Sequence, residues 1–214
     1  MPDEDQIRIL RYLNSAGFVF FVVKTMLNDE LISRLRQIVG KTQVSVSQAE
    51  TELYSYDASL TKGQPGVVVF PGDTGEVARV VNVIRQAGIP FVPRGFGTNL
   101  SGGTVLVSGG VVICMSRFNR IIDIAPQKRC AVVQPGVTNL ELQNALAPLG
   151  FFYAPDPASQ KVATLGGNVG ENSGGPRCLK YGVTTNHILG LDVVLSSGEI
   201  VRVGGCAYDP PGYD

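Results

Sequence analysis

The sequence predicts an α+β domain, and three observations carry this prediction. A buried strand at 67–70, a helix at 73–88 and a second strand at 89–93 follow in that order, which is typical of a parallel βαβ unit. Residues 189–195 and 199–203 flank a Ser-Ser-Gly turn, which predicts a β-hairpin. Between these two units, further short strands are predicted at 105–107, 111–115, 121–124 and 131–134.

The first two helices are predicted from their capping residues and their apolar stripes. Asn28 is a favourable N-cap for a helix at 28–39, and Asp73 and Glu76 have capping-box spacing at the start of the helix at 73–88. Each helix has one apolar face, as expected for a helix that packs on a core. The stripes consist of Leu31, Leu35, Ile38 and Val39 in the first helix and of Val77, Val80, Val81 and Ile84 in the second.

A third helix is predicted to begin at Thr138, where Glu141 completes a second capping box, and to end at Gly150. Its inward-facing residues are expected to be Leu142, Leu146 and Leu149. Residues 154–182 have neither helical nor strand periodicity and are rich in Gly, Pro, Asn and Ser. So long a loop in a compact domain is usually functional, and we expect a functional role for this stretch.

Composition and charge exclude several classes of protein. The chain has 18 Lys and Arg against 18 Asp and Glu, so the basic surface that nucleic-acid binding requires is not expected. His187 is the single histidine and no cysteines have CxxC spacing, so no metal site is predicted. The apolar run at 18–23 is too short for a membrane span and lacks signal-peptide features, which predicts a cytoplasmic protein without a transmembrane span. Buried thiols in a reducing compartment are expected at Cys114, Cys130, Cys178 and Cys206.

The first of two glycine-rich stretches comprises residues 93–103 and is called loop one. It directly follows a predicted strand. Closely spaced glycines let consecutive backbone N–H groups converge on one anion, and Thr98 and Ser101 add hydroxyl donors. These features predict a site for a pyrophosphate group.

Two better-known phosphate motifs do not fit the sequence. Gly95 and Gly97 have the spacing that begins a Rossmann fingerprint, but that motif requires a helix immediately afterwards, and the strand at 105–107 is predicted there instead. Residues 40–42 read Gly-Lys-Thr like the end of a P-loop, but Leu35 stands where that motif requires glycine. Both motifs are therefore rejected.

The second glycine-rich stretch comprises residues 155–175 and is called loop two. Its glycine pairs permit close approach to a flat ring, and Asn168, Asn172 and Ser173 offer both donors and acceptors. Such mixed polarity suits the pyrimidine edge of a flavin better than a purely cationic site would. A single glycine loop is more often an ordinary turn, but two loops that both combine glycine with hydroxyl and amide side chains favour a ligand site.

Both loops resemble the vanillyl-alcohol-oxidase type of FAD-binding domain. Loop one is similar to the pyrophosphate loop of that family, and loop two to its second flavin loop. Within the family, the sequence from about residue 53 to residue 203 resembles the FAD subunit of glycolate oxidase and the related D-lactate dehydrogenases. The resemblance rests on Pro93-Arg94-Gly95-x-Gly97-Thr98-x-Leu100-Ser101-Gly102-Gly103, Pro155-Asp156-Pro157, Thr164-Leu165-Gly166-Gly167-Asn168, Asn172-Ser173-Gly174-Gly175, Lys180-Tyr181-Gly182, Leu191-Asp192-Val193-Val194-Leu195 and Gly198-Glu199-Ile200-Val201.

The resemblance implies two α+β lobes with FAD between them. A small parallel βαβ lobe is expected at residues 53–125 and a mixed or antiparallel sheet lobe at residues 126–214, after an N-terminal extension and helix at residues 1–52. In the family, a substrate-binding cap domain follows. Because this sequence stops at Asp214, we expect the cap to be absent and the second lobe to be incomplete.

The resemblance also implies which residues bind FAD. Loop one would surround the pyrophosphate, loop two would line the flavin ring and its chain, and Ile200 would contact the adenine through its backbone. Relatives with covalent flavin often have a histidine in loop one where Thr98 stands here, so non-covalent FAD is expected. The predicted cofactor-binding residues are Pro93, Arg94, Gly95, Phe96, Gly97, Thr98, Asn99, Ser101, Gly102, Pro155, Asp156, Thr164, Gly166, Gly167, Asn168, Gly170, Asn172, Ser173, Gly174, Gly175, Tyr181, Gly182 and Ile200.

The activity implied by the resemblance is oxidation of a 2-hydroxy acid of the glycolate or D-lactate type by hydride transfer to flavin N5. Electrons would then pass to a partner subunit or carrier. No catalytic residue is predicted, because the groups that bind the substrate belong largely to the cap, and we interpret His187 as structural and Arg177 and Lys180 as solvated. The alternative is a non-catalytic flavin or nucleotide-binding module, or an inactive truncated fragment.

Overall fold

The structure is a computed structural model, and it describes residues 27–205. Most of the predicted N-terminal extension, Cys206 and the end of the predicted second lobe lie outside the described residues.

A four-stranded sheet supports the first half of the chain. Its strand order is β1-β2-β4-β3, in which β2, β4 and β3 are parallel and β1 is antiparallel to β2. The predicted parallel βαβ unit is confirmed, and β4 lies between its two strands. The strands are β1 (Val44–Ser45), β2 (Val67–Val69), β3 (Phe91–Arg94) and β4 (Val111–Cys114).

Two helices cover one face of this sheet, namely α1 (Asp29–Val39) and α3 (Thr74–Gln86), while the short α2 (Gln48–Glu52) connects β1 to the next segment. The predicted N-caps are confirmed, because Asn28 accepts from Leu31 N–H at 2.9 Å and Asp73 accepts from Glu76 N–H at 2.7 Å. The apolar stripes of the helices form one core with the sheet. Its fully buried members include Leu35, Val80, Ile84, Val67, Val69 and Val111.

From residue 121 to residue 205 the chain forms two antiparallel hairpins and three helices. The hairpin of β5 and β6 extends across the boundary predicted between residues 125 and 126, and the hairpin predicted near residue 197 is confirmed as β7 and β8. The elements are β5 (Ile121–Ala125), β6 (Cys130–Val133), α4 (Asn139–Leu146), α5 (Leu165–Glu171), α6 (Cys178–Tyr181), β7 (Gly190–Val194) and β8 (Ile200–Gly204). Short 3-10 turns occur at Lys41–Gln43, Met115–Arg117, Pro126–Lys128, Ala147–Leu149 and Thr184–His187.

The capping box that starts α4 is confirmed in both directions. Glu141 N–H donates to Thr138 Oγ1 at 3.2 Å, and Thr138 N–H donates to Glu141 Oε2 at 2.7 Å. The helix ends earlier than predicted because Pro148 lacks the N–H group that a continuing helix needs. Leu149 therefore lies in a 3-10 turn and is 47% exposed, so the prediction that it faces the core is wrong.

The prediction of a strand at 105–107 is also wrong. These residues lie in a loop, in which Val105 and Leu106 are buried. Leu106 packs against Val68 and Val112 beneath the sheet, and its carbonyl accepts from Gln64 N–H at 2.8 Å. The apolar run thus reflects burial under a loop rather than a sheet ladder. The Rossmann motif remains excluded, since no helix follows loop one.

The stretch at 154–182, predicted to lack regular structure, contains α5 and α6. Glycines weaken helix propensity by about 1 kcal/mol each, which conceals α5 from periodicity analysis. Tertiary hydrogen bonds stabilise the helix instead, from Leu165 N–H to Val137 C=O and from Gly166 N–H to Pro135 C=O, both at 2.8 Å. At the start of α6, Cys178 is exposed and not buried as expected.

Candidate functional site

The two glycine-rich loops lie against each other. A β-carbon on Gly95 would be 2.3 Å from the Thr164 hydroxyl oxygen, and Thr164 is the N-cap of α5. At the other end of the helix, Ser101 Oγ donates to Glu171 Oε2 at 2.8 Å. Helix α5, which forms the centre of loop two, therefore lies alongside loop one. Since any side chain at residue 95 would separate them, Gly95 is required for this contact.

Loop one presents a run of backbone donors. Within residues 27–205, none of the N–H groups of residues 96–103 donates a hydrogen bond to another residue. Gly97 and Gly102 have positive φ values of 70° and 76°, which let the chain turn twice within the loop. Successive amides in such a conformation form a concave site for an anion. The donor set therefore fits the pyrophosphate group of a dinucleotide.

Arg94 lies beneath this loop and is 6% exposed. Its guanidinium is 5.5 Å from the centre of the Tyr54 ring and donates to Thr104 Oγ1 at 3.4 Å. A β-carbon on Gly97 would be 2.2 Å from Arg94 Nη2, so a side chain there would displace the guanidinium, and the positive φ favours glycine as well. Burial lowers the pKa of Arg94, and the nearby Cys114 and Asp57 oppose that shift. The guanidinium remains a cation at neutral pH.

Asp57 is a site residue that sequence reasoning missed. It is 7% exposed and accepts from Ser59 N–H and from Asn99 Nδ2, both at 2.8 Å. Burial by itself raises the pKa of Asp57, but the hydrogen bonds from Ser59 and Asn99 and the charge of Arg94 outweigh it and hold the pKa below the usual value. The Asp-Ala-Ser spacing, typical of an Asx turn, is a local signal, but it does not indicate contact with loop one.

Helix α5 is fixed by a buried amide network behind it. Asn168, which is 2% exposed, donates through its side chain to Asn139 Oδ1. Asn139 is fully buried and donates through Nδ2 to the Pro155 carbonyl at 3.1 Å. Asn168 therefore has an interior partner, and its contact with flavin stays a prediction. Asn139 was missed because a capping-box helix start explains it locally.

One side of α5 carries no side-chain bulk. A β-carbon on Gly170 would have no atom within 4 Å, whereas one on the exposed Gly167 would be 3.1 Å from Thr164 Oγ1. By contrast, a β-carbon on Gly166 would be 2.6 Å from Pro135 Cβ, so that glycine is explained by packing. Glycine without a packing or φ requirement destabilises a helix. At Gly170, the absence of a side chain would let a flat ligand approach the backbone closely.

Beyond α5, several predicted residues have partners within the chain. Asn172 has φ of 49°, and its Oδ1 accepts from Thr185 N–H at 3.0 Å and from Thr185 Oγ1 at 2.7 Å. The Ser173 carbonyl accepts from Thr184 Oγ1 at 2.7 Å. These contacts hold the 3-10 turn at Thr184–His187 beneath the end of the helix.

Asp156 and Gly175 also have structural partners. A β-carbon on Gly175 would be 2.4 Å from Asp156 O, and Asp156 Oδ2 lies 3.1 Å from Arg177 Nε in an ion pair. Gly182 has φ of 81° and closes α6. Ile200, half-exposed on β8, is on the second hairpin. The remaining predicted residues Pro93, Phe96, Thr98, Pro155, Gly174 and Tyr181 vary from buried Pro155 to exposed Phe96.

The groups considered for catalysis have structural partners. His187 Nε2 lies 2.9 Å from the Tyr181 carbonyl, and the His187 ring packs on Tyr153 with centroids 6.0 Å apart. Arg177 pairs with Asp156, and Lys180 Nζ lies 4.9 Å from the Tyr181 ring centre. Within residues 27–205, no group of three His, Cys, Asp or Glu could hold a metal ion, and no helix there has the length and apolarity to cross a membrane.

A pocket of about 190 Å³ opens beside loop one. Four of its lining residues carry polar groups, namely Tyr54, Arg94, Cys114 and Ser116, and the others are Leu53, Gly95 and Phe96. Burial raises the pKa of Tyr54, and the nearby Cys114 raises it further. The Tyr54 hydroxyl is therefore a neutral donor at physiological pH. Apart from residues 94–96, these positions were absent from the predicted site, since none of them belongs to a glycine-rich stretch.

Comparison with known proteins agrees with this geometry. Residues 65–204 match the sequence profile of a family described as an FAD binding domain. The chain is 43% identical to the glycolate oxidase subunit GlcD of Bacillus subtilis, over 88% of this chain and 41% of that protein. It is 37% identical to a D-lactate dehydrogenase of Anaerostipes hadrus, over 82% of this chain and 37% of that protein.

The fold is similar to that of 4-ethylphenol oxidase from Gulosibacter chungangensis. The TM-score is 0.71 at 30% identity, over 82% of this chain and 34% of that one. The predicted resemblance to the FAD-binding domains of glycolate oxidase and D-lactate dehydrogenase and the predicted α+β fold class are therefore confirmed. The chain spans about two fifths of the length of the curated relatives.

Proposed function

The chain belongs to the FAD binding domain family, and from this we propose that it is the flavin-holding part of an enzyme that oxidises a 2-hydroxy acid of the glycolate or D-lactate type. FAD is the cofactor of this family, and its relatives are FAD-dependent oxidoreductases. The observation that carries the proposal is the run of amides in loop one that donate to no other residue within 27–205, together with the contacts that hold α5 alongside this loop.

Different residues would bind different parts of FAD. The amides of residues 96–103 would bind the pyrophosphate, with the Arg94 guanidinium beneath them. The side of α5 at Gly167 and Gly170 would admit the flat part of the cofactor, because no β-carbon stands between ligand and backbone. Bound FAD would supply the hydride acceptor, its N5 atom, and the protein would supply position and exclusion of water.

Non-covalent binding is part of the proposal. Thr98 in loop one has a hydroxyl and no imidazole, so it lacks the ring nitrogen that forms the flavin link in covalent relatives. The expected result of acid or heat denaturation is release of the whole flavin into the supernatant. Flavin that remains with precipitated protein would contradict this part of the proposal.

The substrate class and an electron-accepting partner are inferred from the names of relatives. The Bacillus subtilis relative is called a subunit of glycolate oxidase, which supports a second polypeptide as electron acceptor. A D-lactate dehydrogenase among the relatives supports the same 2-hydroxy acid chemistry. In such a reaction, the hydroxyl proton of the acid passes to a base and its C2 hydride to the flavin.

Ligand binding is the first test of the proposal. Purified protein is titrated with FAD, FMN and riboflavin, and quenching of flavin fluorescence is measured. We expect FAD to bind more tightly than FMN and riboflavin, because it alone carries the pyrophosphate for loop one. Equal affinity for the three flavins would contradict the assignment of loop one.

Substrate reduction is the second test. Glycolate, D-lactate and L-lactate are added anaerobically to the FAD-loaded protein, and loss of flavin absorbance is followed. Bleaching by glycolate or D-lactate supports oxidation of a 2-hydroxy acid. Little bleaching is expected of this chain alone, because the groups that bind the substrate are expected in the cap, so the non-catalytic alternative is tested by flavin binding and not by the absence of bleaching.

A further inference from the structure

Asp57 is a buried carboxylate beside loop one that the proposed function leaves without a role. Its exposure of 7% makes an isolated charge unfavourable, since a buried charge requires hydrogen bonds or a compensating charge. It accepts from Ser59 N–H and from Asn99 Nδ2, and Thr104 Oγ1 lies 3.5 Å away. Asn99 belongs to loop one and Thr104 directly follows it, so this carboxylate contacts that loop.

The same segment also binds the backbone of the loop. Ala58 N–H donates to the Asn99 carbonyl at 3.1 Å, while Thr104 Oγ1 donates to Asn99 Oδ1 at 3.1 Å. In a trans peptide the C=O of one residue and the N–H of the next point in opposite directions. Because the Asn99 carbonyl points at Ala58, the Leu100 N–H points away from this segment. The contacts thus set the direction of an amide in the middle of the donor run.

Asp57 also balances the charge of Arg94. Both groups are buried, and each shifts the pKa of the other toward its charged form. With the guanidinium balanced by a carboxylate, attraction for an anion comes from oriented amide dipoles more than from net positive charge. Correct orientation of those amides is then the main requirement for binding.

We propose that Asp57 is a positioning residue for cofactor binding, which holds loop one through Asn99 and Thr104 in the conformation that receives the pyrophosphate. The inference rests on the proposed function, because it concerns the same anion site. It adds a residue outside both glycine-rich loops, more than 40 positions before its partner in sequence. The role is indirect, since Asp57 contacts the loop and not the ligand.

The test uses Asp57→Asn and the exchange variant Asp57→Asn/Asn99→Asp. In the single variant, the new amide NH₂ faces the Asn99 amide, and two donors oppose each other. In the exchange variant the hydrogen bond re-forms with its direction reversed, while Ser59 N–H keeps an acceptor. Asp192→Asn is the matched control, because Asp192 is bonded to Arg202 on the second hairpin, at 2.6 and 2.8 Å.

Two binding measurements and one stability measurement are made on each protein. FAD affinity is measured by flavin fluorescence, inorganic pyrophosphate binding by NMR shifts of the amides of residues 96–103, and thermal unfolding without ligand by circular dichroism. We expect Asp57→Asn to weaken the affinity for FAD and for pyrophosphate at least tenfold and to lower Tm, the exchange variant to recover Tm because the hydrogen bond between residues 57 and 99 re-forms, and the control to bind like the wild type.

Three results would overturn the inference. These are unchanged affinity of Asp57→Asn for both ligands, a loss of Tm in Asp57→Asn that the exchange variant does not recover, and a loss of affinity in the control equal to that in Asp57→Asn. If Asp57→Asn does not fold, the milder Thr104→Val removes one hydroxyl of the same network, and unchanged pyrophosphate affinity in that variant would also overturn it. Wild-type protein that binds pyrophosphate at loop one but not FAD would contradict the proposed function, while the role of Asp57 would still be decided with pyrophosphate.

Discussion

Replacing Gly170 by alanine should stabilise the protein and weaken FAD binding at the same time. The φ angle of Gly170 lies outside the left-handed region, and a β-carbon there would have no atom within 4 Å. Alanine is about 1 kcal/mol more favourable than glycine within a helix, and position 170 is in the last turn of α5, so a gain of about 0.5–1 kcal/mol is expected. For a domain of this size, that corresponds to a rise in Tm of about 1–4 °C.

The same methyl group would project from the bare side of α5 into the space assigned to the cofactor. We expect the Kd for FAD to rise at least tenfold, which is about 1.4 kcal/mol. Tm is measured without ligand by circular dichroism, and Kd by flavin fluorescence. Gly166→Ala is the matched control, because its β-carbon would be 2.6 Å from Pro135 Cβ and should lower Tm. A Gly170→Ala protein that gains stability and binds FAD as before would refute a ligand on this side of the helix.

Three further predictions follow from single contacts. Thr164→Ala removes the N-cap of α5 and should cost about 1 kcal/mol in the free energy of unfolding, measured in urea. Glu171→Gln keeps an acceptor for the Ser101 hydroxyl but removes a negative charge next to loop one, so FAD affinity should increase roughly twofold to fivefold by fluorescence titration. The pKa of Asp57 is lower in the folded than in the unfolded protein, so the ionised carboxylate stabilises the fold above about pH 4. This stabilisation is lost as the pH falls through the pKa of the folded state. The difference in the free energy of unfolding between wild type and Asp57→Asn, measured in urea from pH 7 to pH 3, should therefore shrink in acid.

Each of these predictions has an outcome that contradicts it. A Thr164→Ala protein as stable as the wild type would show that α5 does not depend on its cap. Weaker FAD binding in Glu171→Gln would show that the carboxylate supports the site and does not compete with the anion. A stability difference for Asp57→Asn that grows toward pH 3 would have the wrong sign for a lowered pKa.

Local patterns were sufficient for the elements whose signals lie within a few residues. The capping residues Asn28, Asp73 and Thr138 and the apolar stripes located the longer helices, because capping and amphipathicity depend on neighbours three or four positions away. The glycine spacing of loop one likewise predicts an anion site, and that remains a prediction. Local patterns failed where packing outweighs propensity, as in the glycine-rich α5 and in the buried loop residues Val105 and Leu106.

Residue types and their spacing in the chain alone thus established the α+β class, the two glycine-rich loops and the dinucleotide type of ligand. Long-range packing settled how those loops meet, through the contacts of Gly95 with Thr164, Ser101 with Glu171 and Asp57 with Asn99. These partners are 42 to 70 residues apart, and no periodicity or capping rule relates residues at such distances. The physical reason is that a contact between distant segments depends on where the whole sheet and its helices place them, and that placement is a property of the assembled core.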